Sequence, residues 1–505
     1  MRHRILLAAG LLYLCAANIA WIAIDTRPPF WDMAGHADTA LTVVRDFQAN
    51  GVAAILTLPR DSGSYPPLYY AVAALFYGVL GTTIDAAQLA NLPAIVLLGL
   101  ATFGIARTVM EPESAALAAV LANFFPYMLW ISRETVIEYW LAAMVATAIW
   151  ALLKTREFSN LKWSLVFGAV CGLGMLTKWT FVIFVALPAL WAARKNWANA
   201  FKAAGVAAIV AAYWYVPQFA TMPKFWRQVA NAGRTEGDPG ALTLQGWIFY
   251  IRMLEGYLLF LPLFVAFLAG LMAMLWNWRG KSAKWLPLVL CLLGSWCGLM
   301  LIPNADPRYA APVLSVVAVV TALAFEKRKK AQIALGAFLV FQHIVVSFGM
   351  PLLPDAVVLA EGPPGRVRYD WNLYTQSYFG LWGKPAAEDW QIDRVLKTIS
   401  TSPARPIHLG MIPDLPRFDI PAFQFYANLG KYPVVMNRLL YNVEADILKN
   451  DYILMSIGKQ ESVASFAPDG DKINATIIAH PERFEMVDTF PLPNGETIRL
   501  YKCVR

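Results

Sequence analysis

Apolar runs recur along the chain from residue 5 to residue 350, and that recurrence limits what the chain can fold into. Several runs are about 20 residues long, enough for a helix to cross a bilayer. Inside a bilayer every backbone N–H and C=O must be satisfied within the protein, which leaves helices or closed barrels. Barrel strands alternate over about ten residues, and these runs do not. Composition agrees. The chain has 505 residues, 58% of them hydrophobic and 15% charged, with a mean hydropathy of +0.48. A soluble protein of this size carries more charge. The expected fold is a polytopic α-helical membrane protein with about eleven transmembrane helices.

The expected spans lie near 5–24, 88–107, 114–131, 138–153, 163–178, 180–193, 203–220, 256–276, 285–303, 309–325 and 331–350. Arg2 and Arg4 precede the first run, which ends without a small-x-small cleavage site, so it reads as an uncleaved helix. Basic residues fall in short blocks between spans: Lys154, Arg156 and Lys162; Arg194, Lys195 and Lys202; Arg279, Lys281 and Lys284; Lys327 to Lys330. The long segment 25–87 holds Asp25, Asp32, Asp38, Asp46, Asp61 and Asp85 instead. Cytoplasmic loops collect Lys and Arg, so the basic blocks are expected inside and 25–87 outside. The net charge of +8 is thus a mark of topology, and nucleic acid is not an expected partner. The apolar run 66–80 is short for a span, and counting it would reverse this pattern. It is left out of the count. A surface helix is expected over 37–49.

After residue 351 the apolar runs shorten to strand length, at 407–412, 434–436, 452–455 and 497–501. Helical patterns lie between them at 388–400, 420–429 and 441–449. This alternation reads as a soluble α/β domain. The chain therefore divides into a membrane domain, 1–350, and a C-terminal domain, 351–505, expected in the periplasm or outside the cell. Cys15, Cys171, Cys291, Cys297 and Cys503 offer no metal-ligand spacing.

Ionisable residues beside or within spans are costly, which makes them functional candidates. Five groups stand out: Asp32 with His36; Arg133 with Glu138; Lys178; Asp306 with Arg308; and Arg252 with Glu255. Taken singly, each also reads as a snorkelling charge or a turn residue. The expected topology brings all five to one outer face. A carboxylate there can deprotonate an acceptor hydroxyl. Arg and Lys can hold a phosphate and neutralise it as it leaves.

Five segments carry a resemblance to known proteins. They are Trp31-Asp-Met-Ala-Gly-His36, Tyr65-Pro-Pro-Leu-Tyr69, Ser132-Arg133 with Glu138, Gly172 to Lys178, and Arg308-Tyr309 with Pro312. In this order they resemble the GT-C glycosyltransferases of the protein O-mannosyltransferase and lipid A aminoarabinose transferase type, a family 39-like group. The resemblance implies inverting transfer of a sugar from a polyprenyl phosphate to a lipid, glycan or protein acceptor at the outer face of the cell membrane. It implies Asp32 as general base, Glu138 as a second catalytic carboxylate, and Lys178, Arg308 and Arg133 facing the donor phosphate. His36, Tyr65 and Tyr309 fall at possible substrate positions. Met33 stands where the family often has a second acid, so no divalent metal is implied. Tyr65 replaces a common His or Lys. The competing readings are a transporter and an envelope-assembly protein. Transporters usually show paired halves and helices broken near mid-bilayer, and this sequence shows neither; an assay of sugar transfer separates an enzyme from an assembly protein.

Overall fold

A computed structural model describes residues 2–361, 370–375, 383–400, 405–461 and 467–504. The side chains of 235–236 and 279–282, which include Arg279 and Lys281, lie outside the described residues.

The chain begins with α1 (Arg2–Ile24), followed by α2 (Trp31–Asn50) and α3 (Ala54–Asp61). Helix α4 (Leu68–Leu80) is the short apolar run, and α5 (Ile84–Leu89) leads into α6 (Leu92–Ala106). Next come α7 (Pro112–Phe124), α8 (Pro126–Ile131), α9 (Glu138–Lys154), α10 (Leu161–Met175), α11 (Phe181–Ala193) and α12 (Trp197–Gln218). Helices α13 (Met222–Glu236) and α14 (Leu244–Met253) precede α15 (Phe260–Trp276), α16 (Trp278–Leu299), α17 (Leu314–Leu323) and α18 (Lys329–Phe348).

Each expected span is found as helix. Among the described residues, five segments are long and apolar enough to cross a membrane: 2–24, 84–106, 197–218, 244–276 and 329–348. The others are shorter or interrupted, and the interruptions have local causes. Pro126 cannot donate to the preceding turn, so the expected span 114–131 breaks into α7 and α8 at Phe125. A π-helical turn, Leu254–Leu259, divides α14 from α15, and Phe260 after it takes φ +58°. Helices α10 and α12 approach closely at Gly168, where a Cβ would lie 2.3 Å from the Ala203 carbonyl oxygen. Only glycine fits that contact, as small residues do where membrane helices touch backbone to backbone.

Three expectations change. The surface helix begins at Trp31, not at 37, so Asp32, His36 and Asp38 share α2. The segment 221–255, which no span covers, holds α13 and α14. The C-terminal helix expected at 441–449 is the short α21 (Glu444–Ile447).

The C-terminal domain has a five-stranded sheet in the order β4-β3-β5-β7-β6. Strands β3 (Ile407–Met411), β4 (Val434–Arg438) and β5 (Tyr452–Ser456) are parallel neighbours, with β3 central. Strands β6 (Phe484–Pro491) and β7 (Thr497–Cys503) add an antiparallel hairpin beside β5. A separate hairpin joins β1 (Ala356–Ala360) and β2 (Trp371–Thr375). Helices α19 (Ile392–Ile399), α20 (Ile420–Gly430), α21 and α22 (Gly470–Ala479) complete the domain. Helix α20 packs on α2, so one hydrophobic core runs from the membrane helices into this domain.

Candidate active site

The chain leaves α1 in an extended Pro28-Pro29-Phe30 arm and turns abruptly at Trp31, which takes φ +43°. That turn puts Asp32 in the first turn of α2. A carboxylate is favoured there by the partial positive charge of the helix N-terminus. Across from it, Asp306 caps the 3-10 segment Pro307–Val313 by accepting from the Arg308 backbone N–H at 2.8 Å. Its other oxygen lies 3.0 Å from Arg308 Nη2, and the same nitrogen is 2.9 Å from Asp32 Oδ2. Two carboxylates thus hold one guanidinium.

A second ion pair lies beside the first. Glu138 opens α9, and Lys178 sits in the turn between α10 and α11, where its N–H donates to the Gly174 carbonyl at 3.2 Å. Lys178 Nζ donates to Glu138 Oε1 at 2.7 Å, with side-chain exposures of 5% and 3%. The ammonium also lies 4.6 Å from the Tyr309 ring centroid and 5.7 Å from that of Tyr65. These are cation–π distances, and Tyr309 follows Arg308 directly, so the two pairs adjoin.

His36 lies one turn beyond Asp32. Its Nδ1 is 2.9 Å from the Tyr70 hydroxyl, and its ring meets Tyr65 edge-on at 5.3 Å. Burial pushes the imidazole down to about 4, against the pull of Asp32 and Glu138. His36 is therefore neutral near pH 7. Burial raises the Asp32 carboxyl, while the Arg308 guanidinium and His36 together lower it, and the group ends below its ordinary value. Asp32 keeps 55% of its side chain accessible. The carboxylate thus borders an open space and is not sealed into a contact. Helix α13 reaches this neighbourhood: Phe225 meets Tyr65 edge-on at 5.4 Å, and Trp226 is 6.3 Å from Trp179.

The structure therefore gathers Asp32, His36, Tyr65, Glu138, Lys178, Arg308 and Tyr309. Arg133 lies elsewhere. It is buried, its guanidinium stacks over Trp21 at 4.6 Å, and the charges acting on it are Glu134, Asp25 and Arg27. Its Nε and Nη1 are without hydrogen-bond partners. Glu255 is buried in the π-helical turn with Oε1 unpartnered. Asp306 and Tyr70 belong to the cluster and had no assigned role from sequence.

The C-terminal domain also reaches the site. Trp31 N–H donates to Asp419 Oδ2 at 3.1 Å, and Trp31 Nε1 donates to Asp414 Oδ1 at 3.1 Å. Arg438 pairs with Asp414. Arg417 donates to the Pro28 carbonyl at 2.9 Å and lies 5.0 Å from the Phe30 ring centroid. The Asp419-Ile-Pro sequence reads as a helix start, and it is one. Nothing in it names Trp31 as a second donor.

Comparisons with known proteins bear on the fold. A sequence profile of the Dolichyl-phosphate-mannose-protein mannosyltransferase family matches residues 64–220. Comparison with curated protein sequences gave no significant match. Among solved structures, the chain is similar to ArnT from Cupriavidus metallidurans in the apo state. The TM-score is 0.59 at 13% identity, over 98% of each chain. The same protein bound to undecaprenyl phosphate gives 0.55 at 12% identity, over 98% of this chain and 97% of that one. The archaeal oligosaccharyltransferase AglB from Archaeoglobus fulgidus, in complex with an inhibitory peptide and a dolichol-phosphate, gives 0.56 at 11% identity. That match covers 100% of this chain and 74% of AglB.

Proposed function

We propose that this chain, a multi-pass membrane protein of the GT-C superfamily, transfers a sugar from a polyprenyl phosphate to an acceptor hydroxyl, with Asp32 as general base. The observation that carries the reading is the shared guanidinium. Arg308 is held by Asp32 and Asp306 at 2.9 and 3.0 Å, beside the buried Lys178–Glu138 pair. A base and two cations at one place are what phosphate departure coupled to hydroxyl attack requires.

In this mechanism the acceptor hydroxyl passes its proton to Asp32. Its oxygen forms a bond to the sugar C1 on the face opposite the phosphate. The C1–O bond to phosphate breaks, and the electron pair leaves with the polyprenyl phosphate. Lys178 and Arg308 neutralise that phosphate, and Glu138 orients Lys178. Before the donor arrives, Arg308 occupies Asp32 and keeps it a weak base. A donor phosphate competes for the guanidinium, which frees the carboxylate as the substrate binds. Tyr65, Tyr309 and His36 line the approach. The donor would lie among the helices with its phosphate at this level, so no soluble nucleotide is needed. The basic blocks support a C-terminal domain on the side opposite the cytoplasm. Reporter fusions after Lys330 and after Pro354 should then give opposite signals.

The test uses the full chain in nanodiscs. A panel of undecaprenyl-phosphate-linked radiolabelled sugars is offered with an extract of envelope lipids, glycans and proteins. Label should move to an acceptor with release of undecaprenyl phosphate, and Asp32→Asn should abolish the movement. No transfer from any sugar by the wild-type chain would overturn the reading.

A further inference from the structure

Helix α2 carries Asp32 in its first turn, yet its own sequence gives that turn no side-chain cap. The residue before it is Phe30, in extended conformation and without a capping hydrogen bond. An α-helix leaves its first N–H groups without partners inside the helix, and a Ser, Thr, Asp or Asn at the N-cap usually satisfies one of them. Here the Trp31 N–H finds its acceptor on another domain, at Asp419 Oδ2, 3.1 Å away. The other oxygen, Oδ1, accepts from the Ala422 N–H at 2.9 Å and caps α20. One carboxylate, fully buried, thus serves the N-termini of two helices.

Further contacts fix the same residue and the arm leading to it. The Trp31 indole N–H is held by Asp414, itself paired with Arg438 at the end of β4. The Pro28 carbonyl is held by Arg417. Along the same helix, Asp38 Oδ1 accepts from Asn428 Nδ2 at 2.7 Å, and Arg45 donates to the Asn428 carbonyl at 2.6 Å. Trp31 is in the left-handed region, which a bulky side chain rarely adopts without outside support. The residue under this constraint is the immediate neighbour of Asp32. A rotation at Trp31 swings the first turn of α2, and with it the carboxylate 2.9 Å from Arg308.

We propose that Asp419 is a positioning residue for Asp32: it is the cap that the C-terminal domain supplies to α2, and it aims the first turn of that helix at Arg308. The part concerning catalysis rests on the glycosyl-transfer reading above. The part concerning the Trp31 arm does not.

Asp419→Ser separates positioning from folding. A serine caps a helix about as well as an aspartate, so α20 keeps its cap, but the oxygen that holds Trp31 is gone. In full-length protein in nanodiscs, the amides of residues 31–35 should exchange with deuterium at least about tenfold faster. Undecaprenyl phosphate should bind within about threefold of wild type, because Lys178 and Arg308 are untouched. The unfolding midpoint should stay near that of wild type. Turnover should fall by about ten- to a hundredfold with the KM for the donor unchanged. Unchanged exchange at residues 31–35 overturns the proposal. So does faster exchange with unchanged turnover, or a fall in the unfolding midpoint large enough to account for the lost activity. Should the wild-type chain transfer no sugar, the glycosyl-transfer reading fails, and the exchange measurement alone decides whether Asp419 fixes the Trp31 arm.

Discussion

Lys178 and Glu138 face each other at 2.7 Å with almost no access to solvent. A buried pair of this kind is costly to break and inexpensive to replace. Removing one partner leaves an uncompensated charge, at about 3–5 kcal/mol, whereas replacing both by apolar or neutral groups is often neutral. Glu138→Gln should therefore lower the unfolding midpoint, and adding Lys178→Met to it should recover most of the loss. Activity should not recover, because Lys178 also holds the donor phosphate on the proposed reading. Losing one charge-assisted contact to phosphate costs about 1.5–3 kcal/mol, or roughly ten- to a hundredfold in affinity. Undecaprenyl phosphate binding to the single and double variants, beside thermal unfolding of both, checks the two halves separately. Arg308→Ala should show the same loss of affinity.

Asp32→Asn keeps the shape of the side chain and removes its basicity. Turnover should drop by on the order of 10²–10⁴, while undecaprenyl phosphate binding should not weaken and should tighten, because Arg308 loses a competing carboxylate. Asp38 is the internal control. It lies on the same helix but binds Asn428 of the C-terminal domain. Asp38→Asn should lower turnover by less than about tenfold. A larger effect at Asp38 than at Asp32 would move the base to the wrong carboxylate.

His36 makes stability depend on acidity. Its folded pKa is about 4, below the ordinary 6.5, because burial disfavours the imidazolium. Above pH 6.5 both folded and unfolded chains hold it neutral, and its contribution is fully present. Between 6.5 and 4 the unfolded chain takes up a proton that the folded one does not. Stability therefore falls as pH falls, by up to about 3 kcal/mol for this group. Unfolding midpoints measured from pH 7 to pH 4 should show a shallower acid limb in His36→Gln than in wild type. Equal slopes would show that other groups carry the acid limb.

Arg133 is buried against Trp21 and away from the Asp32 cluster. Arg133→Met should leave undecaprenyl phosphate affinity within about twofold of wild type. It should instead change the unfolding midpoint, since the guanidinium is buried with two nitrogens unpartnered. A tenfold loss of affinity at unchanged stability would return Arg133 to the donor site.

The spans were legible because a bilayer demands a minimum apolar length, and that demand is written in composition. The breaks within them were less so. Pro126 signals one, but the π-helical turn at 254–259 has no signature in residue type. Helix α13 escaped because its apolar residues form a stripe and not a run. The early start of α2 escaped because Phe30 and Trp31 carry no start signal; the cap is Asp419, far along the chain. Single charges such as Asp32, Lys178 and Arg308 could be picked out because each stands alone in apolar surroundings. Their pairing could not. Arg133 looked equivalent to Lys178 in sequence, yet a buried cation on one side of a helix end and one on the other meet different neighbours. Strand β6 was missed because its alternation is broken: Glu485, Met486 and Val487 are exposed in succession beside a register shift between Met486 and Asp488.

The bond from Trp31 to Asp419 joins residues 388 apart in the chain, and the bond from Asp25 to Ala386 joins residues 361 apart. A ribosome adding about 5–20 residues per second needs roughly 20–80 s to travel between the two ends of the longer one. Throughout that interval α2 exists without its cap, and Trp31 has nothing to hold it in the left-handed turn. On the proposed reading, the Asp32 carboxylate is thus among the first functional groups to be made and among the last to be placed. On that reading, a chain not yet synthesised to Asp419 lacks the contact that aims Asp32.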